Sequence, residues 1–160
     1  MNKQKRIVVI GGSAAGPKAA SKARRLDEFA EITIIQKDAD LSMASCGYPY
    51  YVGGFFDNRN MLLSTPTGVV RDPKFYLNAK GISAMINTEA TRIDLQNKQV
   101  ATKNLLTGEE KSVPYDKLII CTGAKPNLPP IEGIDLEGIT TLQSMHDADY
   151  LRKVRDEGKI

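Results

Sequence analysis

The chain has no tryptophan, one histidine (His146) and two cysteines (Cys46 and Cys121) in 160 residues. A single histidine leaves too few residues for a histidine-based metal centre, and makes a Ser-His-Asp triad a poor reading. The cysteines lie far apart and form no metal-ligand spacing. Such sparing use without a secretory leader fits a compartment where thiols stay reduced, so the expected location is cytoplasmic. The start, Met1 to Arg6, is basic and polar, but the apolar run that follows, Ile7 to Ile10, is far too short for a signal core. No stretch approaches the roughly 20 apolar residues that span a bilayer, so no membrane partner is expected. A net charge of +3, from 22 basic against 19 acidic residues, is too mild to suggest nucleic acid. Repeats and low-complexity tracts are also missing.

What remains is an ordinary globular composition, with 41% hydrophobic and 26% charged residues, long enough for one domain with its own core. Arg6 to Ile10 is a continuous β-branched run, as in a parallel strand buried on both faces. It breaks at Gly11-Gly12-Ser13-Ala14-Ala15-Gly16 and leads into a helix expected over Ala15 to Leu26, where Pro17 suits the first turn. Glu31 to Gln36 reads as a second strand and completes a β-α-β unit. Asp38 to Gly54 reads as a loop with a short helix around Cys46. Asp72 to Lys80 is expected to be helical, and Ile82 to Val113 to form two or three antiparallel strands with a turn at Thr107-Gly108. Tyr115 to Cys121 is a further buried strand, Pro126, Pro129 and Pro130 mark an extended connection, and His146 to Glu157 is expected to be a helix. The chain stops at Gly158-Lys159-Ile160, which looks like the approach to another strand, so a longer parent is expected.

Glycines in a β-α-β turn let the backbone approach a pyrophosphate, and the helix that follows offers it unpaired N–H groups. Here Gly11 and Gly16 hold the outer positions of G-x-G-x-x-G, with Ser13 in the middle. The place of the acidic residue that meets ribose hydroxyls, at the end of the second strand, holds Gln36.

Together the motifs resemble the flavoprotein pyridine nucleotide-disulfide oxidoreductases. Their single-cysteine members, the coenzyme A-disulfide reductases with related NADH oxidases and persulfide reductases, are the nearest branch. The resemblance is carried by Ile7-Val8-Val9-Ile10-Gly11-Gly12 through Arg24-Arg25-Leu26, and by Ser42 to Tyr51 around Cys46. Tyr115-Asp116-Lys117-Leu118 with its Thr122-Gly123-Ala124 ending, and Leu142 to Asp149, complete it. It implies an α/β fold, a Rossmann-like FAD-binding domain with a parallel sheet and a small antiparallel meander. Residues 1–145 would form the N-terminal part of that domain, and residues 146–160 a helix leading toward an absent NAD(P)H-binding domain. The parent would be a homodimer using FAD, with NADH or NADPH as co-substrate.

Three chemistries compete for Cys46. A dithiol mechanism needs a second cysteine five positions on, where this chain has Tyr51. Peroxidase chemistry in the family uses a histidine in the glycine-rich turn, where this chain has Ala14. In the coenzyme A-disulfide reductases the substrate supplies the second sulfur, and Cys46-Gly47-Tyr48-Pro49-Tyr50-Tyr51 resembles that branch most. Here Ser45 stands for the usual Asn and Tyr48 for the usual Leu. The alternatives are an FAD-dependent NADH oxidase that reduces oxygen through a cysteine sulfenic acid, or a non-catalytic flavin- or nucleotide-binding module.

The resemblance also assigns roles. Gly11, Gly12, Ser13, Ala14, Ala15 and Gly16 cradle the FAD pyrophosphate. Gln36 and Lys37 face the adenosine ribose, backbone at Ala90 the adenine, and Thr122 and Gly123 close over the cofactor. Lys18, Lys22 and Arg25, at i, i+4 and i+7, put three cations on one helix face. Coenzyme A, with its pyrophosphate and 3′-phosphate, suits such a stripe. In the family, positions matching these three and Ser42, Ser45 and Lys80 contact coenzyme A; another small thiol or disulfide is the wider class of partner. Cys121 ends a buried strand and reads as core, and His146 as structural.

Overall fold

The structure is a computed structural model and describes residues 4–159; Met1–Lys3 and Ile160, the outer ends of the two expected domain ranges, lie outside the described residues. In chain order the elements are β1 (Arg6–Ile10), α1 (Ala15–Leu26), β2 (Glu31–Ile35), a 3-10 turn (Ser45–Gly47), α2 (Tyr48–Gly53) and a second 3-10 turn (Arg59–Leu62). There follow α3 (Pro73–Lys80), β3 (Ile82–Met85), β4 (Thr88–Asp94), β5 (Gln99–Asn104), β6 (Glu110–Pro114), β7 (Lys117–Ile120) and α4 (Met145–Asp156). They fall into two compact units. One runs to Met43 and resumes over Leu63–Thr122; the other joins Ala44–Leu62 to the chain from Gly123 on.

The first unit is a four-stranded sheet in the order β3-β2-β1-β7, parallel throughout, beside a three-stranded antiparallel sheet β4-β5-β6. Side chains alternate across a strand, so Val9, Ile32, Ile34 and Ile82 pack on one face with Ala20 of α1 and Tyr76 of α3. Val8, Ile10 and Ile35 pack on the other with Val100 of β5 and Tyr115. Covering both faces is what makes β1 and β2 continuous apolar runs instead of alternating ones. Arg6 secures the start of the sheet, donating to Asp116 through its backbone N–H at 2.8 Å and through Nε and Nη2 at 3.2 and 3.1 Å.

The antiparallel region begins later than its sequence suggests. Ile82–Met85 joins the main sheet in parallel, Ile82 opposite Ile32. The reason lies in α3, which acts as a crossover: a helix between two adjacent strands returns the chain in the same direction. The meander is therefore β4, β5 and β6, with a register irregularity between Ala90 and Arg92. Asp72 lies just outside α3 as its N-cap, its side chain accepting from the Phe75 N–H at 2.7 Å. β2 ends at Ile35, leaving Gln36 beyond the strand. No helix among the described residues is long and apolar enough to cross a membrane.

In the second unit α2 packs against α4. A reciprocal cap starts α4: the Ser144 hydroxyl accepts the Asp147 N–H at 3.1 Å, and the Asp147 carboxylate accepts the Ser144 N–H at 3.0 Å. Burial pushes the Asp147 carboxyl up, but hydrogen bonds from the Gln143 and Ser144 N–H groups and from the Ser144 and Thr141 hydroxyls outweigh it and hold the group below the usual carboxylate value. A carboxyl depressed by folding stabilises above its unfolded pKa and loses that contribution as pH falls through the folded one. Ser144→Ala should therefore cost about 1 kcal/mol in urea unfolding at neutral pH. Asp147→Asn should flatten the acid limb of stability, measured by urea titrations between about pH 5 and pH 2; an unchanged limb would contradict the cap's contribution.

Candidate functional site

In the first unit β1 lies between β2 and β7: the chain leaves β1 toward β2 and β3 on one side and returns on the other side only as β7. Crevices at such switch points are where open α/β sheets take ligands. The glycine turn occupies that end. Gly11 has φ +104°, and a Cβ there would run into the Cys121 carbonyl; a Cβ on Gly16 would overlap the Gly11 carbonyl oxygen. Both positions are thus dictated by the close approach of backbone from β1, α1 and the end of β7. At the start of α1, Ala14 provides no side-chain cap and the first turn carries no acidic residue. Ser13, Ala14 and Ala15 are exposed. Helix-start N–H groups are left facing outward with only small side chains around them, which suits an anion.

Gln36 is 4% exposed. Its Oε1 accepts the Gly12 N–H at 2.7 Å, while Nε2 donates to Asp38 Oδ2 and to the Asp40 carbonyl, both at 3.3 Å. Its backbone N–H donates to Met85 O at 2.8 Å and its carbonyl accepts from Thr88 N–H at 2.9 Å. One residue thus ties the glycine turn to β2, the end of β3 and the start of the meander. The Gly12 carbonyl in turn accepts the Ser42 N–H at 2.8 Å, and Ser42 holds φ +55°, uncommon for a residue with a side chain. Lys37 pairs with Glu89 at 2.9 Å. Ala90 packs, half-buried, against the Val8 and Ile10 face.

Lys18, Lys22 and Arg25 are exposed, and among the described residues none of them makes an ion pair. Ser42 meets the start of α1 through Gly12. Lys80 belongs to its far end, where Arg24 donates to the carbonyls of Lys80 at 3.1 Å, Gly81 at 2.7 Å and Glu28 at 2.6 Å. The 12 residues of α1 rise about 18 Å, so these groups are strung along a helix length. The Lys80 ammonium lies 5.9 Å from the centre of the Phe75 ring.

Cys46, Ser45 and Gly123 belong to the second unit. Cys46 is exposed, in the middle of the 3-10 turn that runs into α2. The turn is pinned by Ala44 N–H to Leu62 O at 2.9 Å and Gly47 N–H to Ala44 O at 2.8 Å. Gly47 leaves room for the Leu62 side chain. Ser45 is exposed, whereas Tyr48 and Tyr51 are buried. Burial, then the charge and hydrogen bond of Asp149, push the Tyr51 phenol above its ordinary value, opposed by Arg152 and Arg59. Thr122 and Gly123 are exposed at the end of β7, Gly123 with φ +71°. Cys121 is half-buried against the Val9 cluster.

Sequence reasoning treats α4 only as a helix and misses its polar face toward α2: Asp149, Arg152 and Arg155. Their spacing of three residues puts them on one side of α4, the only trace in the sequence. Gln36→Leu keeps the side-chain volume but strands the Gly12 N–H and the Asp40 carbonyl. It should lower stability by about 1–3 kcal/mol in urea unfolding without changing the fold seen by circular dichroism; a neutral outcome would show the turn does not rely on this amide.

Residues 5–160 match the family described as pyridine nucleotide-disulphide oxidoreductase. A coenzyme A disulfide reductase of Staphylococcus haemolyticus is 35% identical over 96% of this chain and 33% of its own length. An NAD(P)H coenzyme A polysulfide/persulfide reductase of Pyrococcus horikoshii is 33% identical over 99% of this chain and 33% of its own length. Among solved structures, an NAD-dependent persulfide reductase from A. fulgidus superposes with a TM-score of 0.91 at 43% identity, over 96% of this chain and 28% of that one. The chain therefore spans about a third of the length of the curated relatives it matches. With the family's residues spread from β1 to α4, the chain belongs to the pyridine nucleotide-disulphide oxidoreductase family.

Proposed function

We propose that the chain is the N-terminal part of an FAD-dependent NAD(P)H oxidoreductase that reduces a coenzyme A disulfide or persulfide, with Cys46 as its redox thiol. Residues 1–145 are the start of the FAD-binding domain, residues 146–160 a helix leading to the NAD(P)H-binding part, and the whole protein a cytoplasmic homodimer. The carrying observation is an exposed thiol on an ordered turn with Tyr51, not a cysteine, five residues on. With no second thiol five residues on, this reading takes the partner sulfur from the substrate.

The glycine turn fits the flavin nucleotide. Gly11 to Gly16 would receive the pyrophosphate, because the uncapped start of α1 presents N–H groups and no side chain that blocks them. Gln36 Oε1 has one lone pair left after Gly12 and would accept a ribose hydroxyl, with Lys37 beside it, backbone at Ala90 near the adenine, and Thr122 and Gly123 at the cofactor's edge. When bound, FAD supplies two-electron exchange between a nicotinamide and a thiol. The unpaired cations Lys18, Lys22 and Arg25, with Ser42, Ser45 and Lys80, would receive coenzyme A. A ligand with phosphates at one end and a long thiol-bearing arm matches groups strung along α1.

The Cys46 thiolate attacks one sulfur of a coenzyme A disulfide, forming a Cys46–coenzyme A mixed disulfide and expelling coenzyme A thiolate. A two-electron reduction, drawn ultimately from NAD(P)H, cleaves the mixed disulfide to the Cys46 thiolate and a second coenzyme A thiolate.

Non-reducing intact mass of the purified chain after incubation with coenzyme A disulfide, beside a Cys46→Ser variant, tests the reading. The expected result is a coenzyme A adduct that dithiothreitol removes and the variant lacks. An oxygen adduct at Cys46 with no coenzyme A would favour the oxidase chemistry instead.

A further inference from the structure

Helix α2 has six residues, too few to persist without tertiary support, yet it continues directly from the turn that carries Cys46. Its C-terminal end is finished by Gly54, in the left-handed region at φ +80°, whose N–H turns back to Tyr50 and Tyr51 carbonyls. Beyond that local cap the support comes from α4. Arg152 Nη1 donates to the carbonyls of Tyr51 at 2.8 Å and Phe56 at 3.1 Å. Arg155 Nη1 donates to the Val52 carbonyl at 2.9 Å, against Gly54, where any Cβ would collide with its guanidinium. The same Arg152 guanidinium lies 5.5 Å from the centre of the Tyr51 ring. It is held in place by Asp156 at 2.8 Å and by Asp57. The far edge of Tyr51 is tied as well: its phenol hydrogen-bonds Asp149, which Arg59 grips at 3.2–3.3 Å.

Arg152 is thus the point where α4 holds both the backbone and the aromatic ring of the residue five positions after Cys46. Its planar fork reaches two carbonyls and two carboxylates at once, which an ammonium cannot copy. A cation at the carbonyl end of a helix also stabilises it.

We propose that Arg152 is a positioning residue for the Cys46 thiol: by clamping Tyr51 it fixes the Cys46 turn in the geometry that accepts a coenzyme A disulfide. This rests on the reading of Cys46 as the redox thiol. Thiol–disulfide exchange needs the attacking sulfur in line with the S–S bond of a bulky partner, whereas alkylation of an exposed thiol by iodoacetamide makes little demand on orientation. The clamp should therefore govern the ratio of the two rates and not thiol access itself.

The test measures, on the full chain, the rate of coenzyme A mixed-disulfide formation at Cys46 and the rate of its alkylation by iodoacetamide, both by peptide-resolved mass spectrometry, for wild type, Arg152→Lys and Arg152→Met. Cys121 alkylation reports general loosening. The expected result is a fall of about three-fold or more in the exchange-to-alkylation ratio in both variants, from loss of the forked hydrogen bonds, with Cys121 unchanged. Lysine should fail to rescue, because the fork and not the charge alone is required. An unchanged ratio in Arg152→Lys would overturn the inference even if Arg152→Met does not fold. A parallel rise of Cys46 and Cys121 alkylation with the ratio preserved would also overturn it, since it would mark a purely structural role. If wild type itself forms no mixed disulfide, the redox reading of Cys46 fails first; if wild type forms it and both variants match it, only the clamp fails.

Discussion

At the C-terminal end of the parallel sheet, backbone meets backbone so closely that side chains are excluded. Gly11 lies against the Cys121 carbonyl and Gly16 against Gly11 itself, and the peptide between them is held from below by the buried Gln36 amide. Much of the first unit depends on this junction. It sets how near α1 comes to β1, it ends β2 and β7 in register, and through Ser42 it fixes the chain just before the cysteine segment. A buried amide in this position is costly unless all its polar atoms are engaged. Here the carbonyl and both N–H bonds find partners, which converts a polar intrusion into a three-way tie.

The first unit was largely legible because its physics is local and periodic. The β-branched run Ile7–Ile10 could only be a strand covered on both faces, and the break at Gly11 with small residues to Gly16 could only be a tight turn into a helix. The meander was legible from its alternation and its turn at Thr107-Gly108. The role of β3 was not. Ile82–Met85 is short and directly precedes the meander, and only the crossover made by α3 assigns it to the parallel sheet. Gln36 illustrates a finer limit. The sequence marks the position as the ribose contact, but nothing in it tells that the carboxamide already serves Gly12, Asp38 and Asp40.

The cysteine segment shows the opposite balance. Cys46 stands out in the sequence, and the structure places it exposed on a turn. What holds it does not stand out. Asp149, Arg152 and Arg155 are charged residues on a helix of otherwise solvent-facing composition, and a charge on such a helix most often points to water. The two arginines donate to backbone carbonyls of Tyr51, Val52 and Phe56, acceptors that leave no mark in a sequence.

That arrangement has a consequence for how the molecule is built over time. The contact between Arg152 and the Tyr51 carbonyl joins residues separated by 101 positions. Closing so long a loop costs chain entropy before any contact repays it, and the intervening stretch contains all of β3 to β7. Folding of the parallel sheet within that stretch shortens the effective loop and lowers the entropic cost of ordering the cysteine turn. By the same logic, its pairing with α4 is among the first features to be lost in partial opening. Order at the turn that carries Cys46 thus depends on bringing together segments 101 positions apart.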